Sequence, residues 1–247
     1  MQRIDSEKLM DEVVRAIDGR RVREIVGDNP PFDNADYLWT KDDIVSEMKN
    51  LEKDFFSDPA ISDGMLKMYN RWVDEGKDVP LMYGEGLLRT DQLPIECARE
   101  LISIFKDKLE SAVLRKANRQ IRETKVNLNY PDAVGLLLLS NEGNFAFDPA
   151  MIVHVLFHAL GSKFSSIEHV IFFSANLRVP TASSTPAPLF ASIRFPNRRH
   201  PSSEFLTRLG SRWFETLSAT TGEKFPPFAF SESSSAEIDA LRFRPRV

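Results

Sequence analysis

Ala35-Asp36-Tyr37-Leu38-Trp39, Thr40-Lys41-Asp42-Asp43 and Ile44-Val45-Ser46-Glu47-Met48-Lys49 form the continuous stretch that decides the fold. Its two flanking runs are rich in apolar and aromatic residues, and the polar tetrapeptide between them is short enough to turn the chain back. The pattern predicts a β-hairpin. Side chains alternate faces along a strand, so Glu47 and Lys49 point one way while Ile44, Ser46 and Met48 point the other. Closing the hairpin brings Asp36 on the first strand close to Glu47 on the second. Two carboxylates and an ammonium then share one small volume.

Carboxylates so close repel one another unless a cation sits between them. Mg²⁺ suits a site of one or two carboxylates with retained waters and substrate phosphate oxygens. A neighbouring lysine can orient or help to deprotonate an attacking water and offset charge in the transition state. The chemistry that needs this set is metal-assisted phosphodiester hydrolysis. Asp36, ten intervening residues and then Glu47-Met48-Lys49, each set in a strand, resembles the signature of the PD-(D/E)XK nuclease superfamily, the restriction-endonuclease-like fold. Ala35 stands where the superfamily's name has Pro, and the carboxylate that follows carries the chemistry. The resemblance implies that Asp36 and Glu47 bind Mg²⁺, or alternatively Mn²⁺, with the backbone carbonyl of Met48 as a further ligand. It also implies that Lys49 is the catalytic lysine. The blander reading of the same residues is a charged, solvated strand face.

Composition excludes several other classes. The 247 residues allow one large domain or two small ones, and a chain of this size can bury a substantial core. The apolar content of 42% is that of a soluble globular protein. No apolar run approaches the ~18–20 residues of a membrane span, and Met1-Gln2-Arg3-Ile4-Asp5 lacks the apolar core of a signal peptide, so a cytoplasmic protein without a membrane partner is expected. Cys97 is the single cysteine, which rules out an internal disulfide and a cysteine-based zinc site; it is expected to be a buried helix residue. A net charge of −4 argues against a nonspecific nucleic-acid coat. Charge is unevenly spread, however: Lys106 to Lys125 holds seven basic residues against three acidic, a surplus that could face phosphates or form a solvated helix face. Smaller basic patches lie at Arg198-Arg199-His200 and Arg242 to Arg246.

The order of elements supports the hairpin's reading. Ser6 to about Gly19 has helical apolar spacing through Met10, Val13, Val14 and Ile17, with Ser6 as its expected N-cap. Val22 to Val26 is expected to be a strand, ended by Gly27-Asp28-Asn29-Pro30-Pro31. Glu52 to Phe56, Ile61 to Glu75 and Leu93 to Lys125 read as helices, interrupted at Pro80 and Gly84-Glu85-Gly86. Met65, Met68, Tyr69 and Trp72 form a stripe expected in the core. Ala133 to Ser140 is a continuous apolar run, as in a central strand buried on both faces. Pro149 to Leu160 reads as a helix and His169 to Ser174 as a strand, which implies a parallel pair with a right-handed crossover. The expected class is therefore α/β: a restriction-endonuclease-like αβββαβ core with a mixed central sheet spanning residues 1–179, with a helical insertion at about 50–110. A Phe-rich C-terminal extension, 180–247, is expected to pack on it. Within that extension Thr181 to Pro188 reads as a loop, Phe190 to Phe195 as an edge strand and Ser203 to Leu217 as a helix. Phe225, Phe228 and Phe230 are expected to pack on the core or a second subunit, and Ser231 to Val247 to fray.

Two helices could extend the site. Glu7 falls on nearly the same helical face as Val14 and would point toward the sheet; superfamily members often add an acidic residue from the first helix, so Glu7 is a candidate metal ligand, or simply a first-turn Glu favoured by the helix dipole. Lys116 and Gln120 flank the stripe of Val113, Ala117 and Ile121. Many superfamily members place a Gln or Lys on a helix after the Glu-x-Lys strand. By that resemblance Gln120 joins the catalytic set, and Lys116 and Arg119 contact nucleic acid. His154 and His158 stand at i, i+4, but Val155 occupies the general-base position of a zinc protease and no third ligand is evident, so surface or packed histidines are expected. There is no phosphate-binding Gly-rich motif and no Gly-x-Ser-x-Gly elbow. Two functional classes follow: a Mg²⁺-dependent nuclease, endo- or exonucleolytic, acting on DNA rather than RNA, or a catalytically inactive nuclease fold that binds a protein partner or a second copy through the helical insertion or the C-terminal extension.

Overall fold

The computed structural model describes residues 3–80, 92–145, 149–180, 186–225, 228 and 244–245. It is an α/β protein built on a mixed six-stranded sheet. The first helix, α1, is Ser6–Ala16. Strand β1 is Arg20–Arg21, followed by the short helix α2, Arg23–Val26. The hairpin strands are β2, Tyr37–Trp39, and β3, Ile44–Leu51. Helix α3 spans Pro59–Asp74 and α4 Ile95–Leu109; a π-helical turn at Glu110–Leu114 leads without a break into α5, Arg115–Asn127. Then come β4 (Val134–Asn141), α6 (Pro149–Leu160), β5 (His169–Phe173), β6 (Leu177–Arg178), β7 (Phe190–Arg194), α7 (Ser203–Thr221) and β8 (Arg244–Pro245).

In the large sheet the strand order is β1-β2-β3-β4-β5-β7. β3, β4 and β5 run parallel, and the outer strands on both sides are antiparallel to their neighbours. β4 is the centre, as its unbroken apolar run requires. Leu136 and Leu138 pack into one apolar cluster with Leu9, Met10, Val13 and Val14 of α1 and Phe205, Leu209 and Trp213 of α7. Leu137 and Leu139 pack on the opposite face with residues of α3 to α6. Period-two alternation thus feeds two cores from one strand, and polar side chains have no outward face to occupy.

Met68 and Trp72 are buried, with Met65 and Tyr69 packed beside them, and Cys97 is fully buried in α4. The second core also receives Phe225, and the Phe228 ring stacks on Phe214 at 5.6 Å between centroids. His154 and His158 are both exposed, with ring centroids 4.7 Å apart. Phe230, Gly84-Glu85-Gly86, Thr181 to Thr185 and Arg242 lie outside the described residues. Ala187 forms an isolated bridge with Val179, and Arg244–Pro245 pairs with Leu177–Arg178 instead of running free.

Four local expectations are corrected. The N-cap of α1 is Asp5, whose Oδ1 accepts the Lys8 N–H at 3.0 Å, while Ser6 is already inside the helix and buried. The helix ends at Ala16, short of Gly19. Val22 to Val26 is no strand: only Val22 of that run is buried, Arg23–Val26 forms a helical turn, and the strand is the preceding Arg20–Arg21, paired with Leu38 and Tyr37. Glu52 to Phe56 holds no α-helix; a 3₁₀ turn occupies Phe55–Ser57.

Candidate metal and catalytic centre

β2 is three residues long and β3 eight. Their pairing begins at Trp39–Ile44 and ends at Tyr37–Ser46, so the Glu47–Leu51 half of β3 runs on past its antiparallel neighbour. Asp36 sits where the pairing stops. It lies one residue before β2, though its N–H still bonds the Ser46 carbonyl at 3.1 Å, so the register continues to place it opposite Glu47. Its Oδ2 accepts the Met48 N–H at 2.8 Å. The N–H and C=O of one strand residue leave on the same side, so the Met48 carbonyl faces the same edge as the Asp36 carboxylate.

Glu47 and Lys49 share the face of β3 that α5 covers, where Lys49 Nζ donates both to Glu47 Oε1 and, at 3.1 Å, to Gln120 Oε1. Gln120 Nε2 donates to the Asn34 carbonyl at 2.8 Å. Two more α5 side chains hold the same loop, the Asp33 N–H bonding Glu123 Oε2 at 2.8 Å and the Ala35 N–H bonding Thr124 Oγ1 at 2.7 Å. Positions 120, 123 and 124 share one helix face, so α5 grips residues 33–35 along a single line. That grip sets where Asp36 begins. On the other side, Asp11 of α1 accepts from Tyr37 Oη at 3.0 Å and from Arg21 Nε at 2.6 Å, fixing the first residue of β2.

The electrostatics are those of a buried acid set beside a second carboxyl. Glu47 is 1% exposed, and its Oε2 has no hydrogen-bond partner. Burial, and then the Asp36 carboxylate, push its carboxyl up to about 8 despite the opposing pull of Lys49. Glu7 is exposed and does not turn its side chain into the sheet as its helical position suggested; even so, burial of part of its surface and the nearby Asp36 raise its carboxyl above the ordinary range. Two carboxyls, Asp36 and Glu47, therefore lie together at the edge of β3, and Glu7 stays exposed outside the pair.

Among the described residues, no three His, Cys, Asp or Glu side chains form a metal-holding group by themselves. A site of Asp36, Glu47 and the Met48 carbonyl contains only two such side chains. It fits a hard cation on a separate ground: Oε2 is buried without a donor and the Glu47 carboxyl lies within hydrogen-bond reach of the Asp36 carboxyl, so the two acids must share either a proton or a cation.

Of the basic residues expected near phosphate, Lys116 is exposed, while Arg119 pairs with Asp33. Others have structural duties. Lys125 is buried against Glu168 at 2.8 Å, and Lys108 pairs with Asp58 at 2.7 Å. Arg199 joins Glu168 and the Asp132 and Ala133 carbonyls, and Arg198 gathers the carbonyls of Leu160, Lys163, Phe164 and Ile167. The Arg198-Arg199 patch is thus a staple between loops. Asn34, Glu123, Thr124 and the Asp11 clamp escaped sequence reasoning; only the spacing of Gln120, Glu123 and Thr124 could have indicated the grip.

Comparison of the chain with protein-family models, curated proteins and solved structures returned no match. The chemistry of the site is therefore read from its own geometry. No helix among the described residues is long and apolar enough to cross a membrane.

Proposed function

We propose that this chain is a divalent-metal-dependent nuclease of the PD-(D/E)XK type, hydrolysing phosphodiester bonds, with DNA as the first substrate to test. The observation that carries the reading is the buried Glu47 carboxyl, one oxygen on Lys49 and the other without a partner, set opposite Asp36 at a free strand edge. The order of α1, the hairpin, the central parallel strand β4, α6 and β5 supports a restriction-endonuclease-like core around it.

In this reading Asp36, Glu47 and the Met48 carbonyl would hold Mg²⁺ or Mn²⁺, and Glu7 would stay outside the set. The bound cation supplies positive charge that polarises a phosphate oxygen and acidifies a water molecule. Without it, Glu47 keeps its proton through most of the neutral range, so the protein avoids a buried charge beside the Asp36 carboxylate. Lys49, 19% exposed along its side chain, reaches the same space as a donor that orients water and offsets charge on the scissile phosphate. Gln120 holds Lys49 in that position and, through Asn34, ties it to the segment that carries Asp36. Lys116 and Arg119, on the same helix, steady the phosphate backbone beyond the site.

The test is cleavage of a mixed set of DNA and RNA by purified protein with Mg²⁺ or Mn²⁺. The wild type should cut DNA and Lys49→Ala should not, with an unchanged melting temperature. Equal residual activity in both proteins overturns the proposal.

A further inference from the structure

The two flanks of the site carry opposite charge. On one flank, α5 leaves Arg115, Lys116, Arg119 and Arg122 exposed. At about 100° per residue they form one continuous arc of the helix surface that starts next to Gln120, with Glu123 as the sole acid within it. Glu123 is engaged by the Asp33 N–H, and Arg119 is the one cation of the four in an ion pair among the described residues. The arc rises about 1.5 Å per residue, so from Arg115 to Arg122 it spans about 10 Å, enough for two neighbouring phosphates.

The opposite flank lies beyond the end of β3, where a recess of about 320 Å³ is lined by Arg3, Asp5, Glu7, Asn50, Glu52 and Glu142. Four carboxyls there face one guanidinium. The charge of Glu142 is absorbed by Ser140, the Ala175 and Asn176 N–H groups and the Asn176 amide, and Asp5 caps α1. Glu7 and Glu52 remain exposed at its mouth. A polyanion continuing past Lys49 in this direction meets like charge, whereas across α5 it meets four cations and the single acid Glu123, which is engaged by the Asp33 N–H.

Resting on the nuclease reading, we propose that the exposed arc of α5 is the track for a phosphodiester backbone and that the acidic recess stops that backbone, so the strand is engaged at its end. The substrate class is then a nucleic-acid terminus, and an uninterrupted strand is a poor fit. Like-charge juxtaposition at Glu7 and Glu52 supplies the discrimination, and the α5 cations supply the affinity.

Binding can be measured without catalysis, by fluorescence anisotropy of a labelled single-stranded oligonucleotide in EDTA across a KCl series. The unlabelled linear strand competes against a covalently closed circle of the same sequence. The linear strand should compete at least about tenfold better than the circle. The combined Arg115→Gln, Lys116→Gln and Arg122→Gln variant should flatten the salt dependence by about 1.4 logarithmic units per unit of log[salt], from roughly 0.7 for each of the two phosphates along the arc. Glu52→Lys should bring the circle's affinity up toward that of the linear strand. An unchanged salt slope in the α5 variant overturns the track, and equal competition by circle and linear strand overturns the stop. Lys49→Ala should still bind, so normal binding with no cleavage by the wild type refutes the hydrolytic reading alone and leaves the track supported.

Discussion

Replacing Glu47 by Gln should make the ion-free protein less sensitive to alkali. The carboxyl rises from 4.5 to about 8 on folding. Because the folded state binds this proton more tightly than the unfolded chain, the native state is favoured at low pH and loses stability as pH climbs through the window from 4.5 to 8. The full shift corresponds to about 5 kcal/mol, and the part lying between pH 5.5 and 8.5 to roughly 3 kcal/mol. Glu47 is almost wholly buried, so no allowance for solvent screening is due. Gln keeps the shape and an oxygen for Lys49 but does not titrate. Urea unfolding in EDTA at several pH values should therefore show the wild type losing about 3 kcal/mol relative to Glu47→Gln between pH 5.5 and 8.5. Saturating Mg²⁺ at pH 8.5 should restore the wild type, by about 2.7 kcal/mol at one hundred times its dissociation constant, and leave Glu47→Gln unmoved. Parallel stability curves for the two proteins in EDTA would refute the argument, since they would mean that folding does not hold Glu47 in its neutral form.

Other substitutions probe the remaining links. Gln120→Ala should lower the cleavage rate by roughly tenfold to a hundredfold with little change in unfolding free energy, because Lys49 loses the acceptor that aims it, in a kinetic comparison with wild type. His169 is fully buried against Ser192, and burial lowers its pKa to about 3 from 6.5. A depressed folded-state pKa gives stability present above 6.5 and lost as pH falls toward 3, so His169→Gln should flatten the acid limb of the unfolding profile. Lys125→Met should cost roughly 3 kcal/mol, measured by denaturant unfolding, by removing a buried partner of Glu168, and Lys125→Met with Glu168→Gln should recover part of it. Gly135→Ala should unfold the chain or cost more than about 4 kcal/mol by the same measurement, because its Cβ would lie 1.7 Å from the Ser166 carbonyl oxygen, a backbone atom that cannot turn aside.

Legibility in the sequence tracked how local each cause was. The hairpin and its alternation need only neighbours within fifteen residues, and the structure pairs Tyr37 with Ser46 and Trp39 with Ile44 as that pattern requires. Leu136 to Leu139 could be read as a central strand because no polar residue interrupts it. The failures were competitions decided at long range. Val22 to Val26 has strand composition, yet Arg20 and Arg21 win the pairing with β2, and Ile25 is left 38% exposed on a helical turn. Asp5 and Ser6 are both good N-caps; packing decided between them by burying Ser6. The grip of α5 on residues 33–35 crosses nearly ninety positions, and no local pattern signals such a distance.

The helix bearing Gln120 shows how a packing constraint reaches the site. Cys97, Leu101, Phe105, Leu109, Val113, Ala117 and Ile121 recur at intervals of four, and all are buried. In an α-helix of 3.6 residues per turn, each step of four advances the stripe by about 40°, so six steps would carry Ile121 about 240° from Cys97. One continuous helix could not then bury both ends against the same core. The π-helical turn at Glu110–Leu114 takes up an extra residue and sets the stripe back by about 100°, near its midpoint. The two halves also meet different neighbours, α4 packing on α3 and α6 while α5 packs on β3 and β4. Without that wide turn, keeping α4 in place would rotate Gln120 by the same 100° away from Lys49. Core spacing in a segment that contributes no carboxyl to the site thus fixes the orientation of the side chain that aims the lysine.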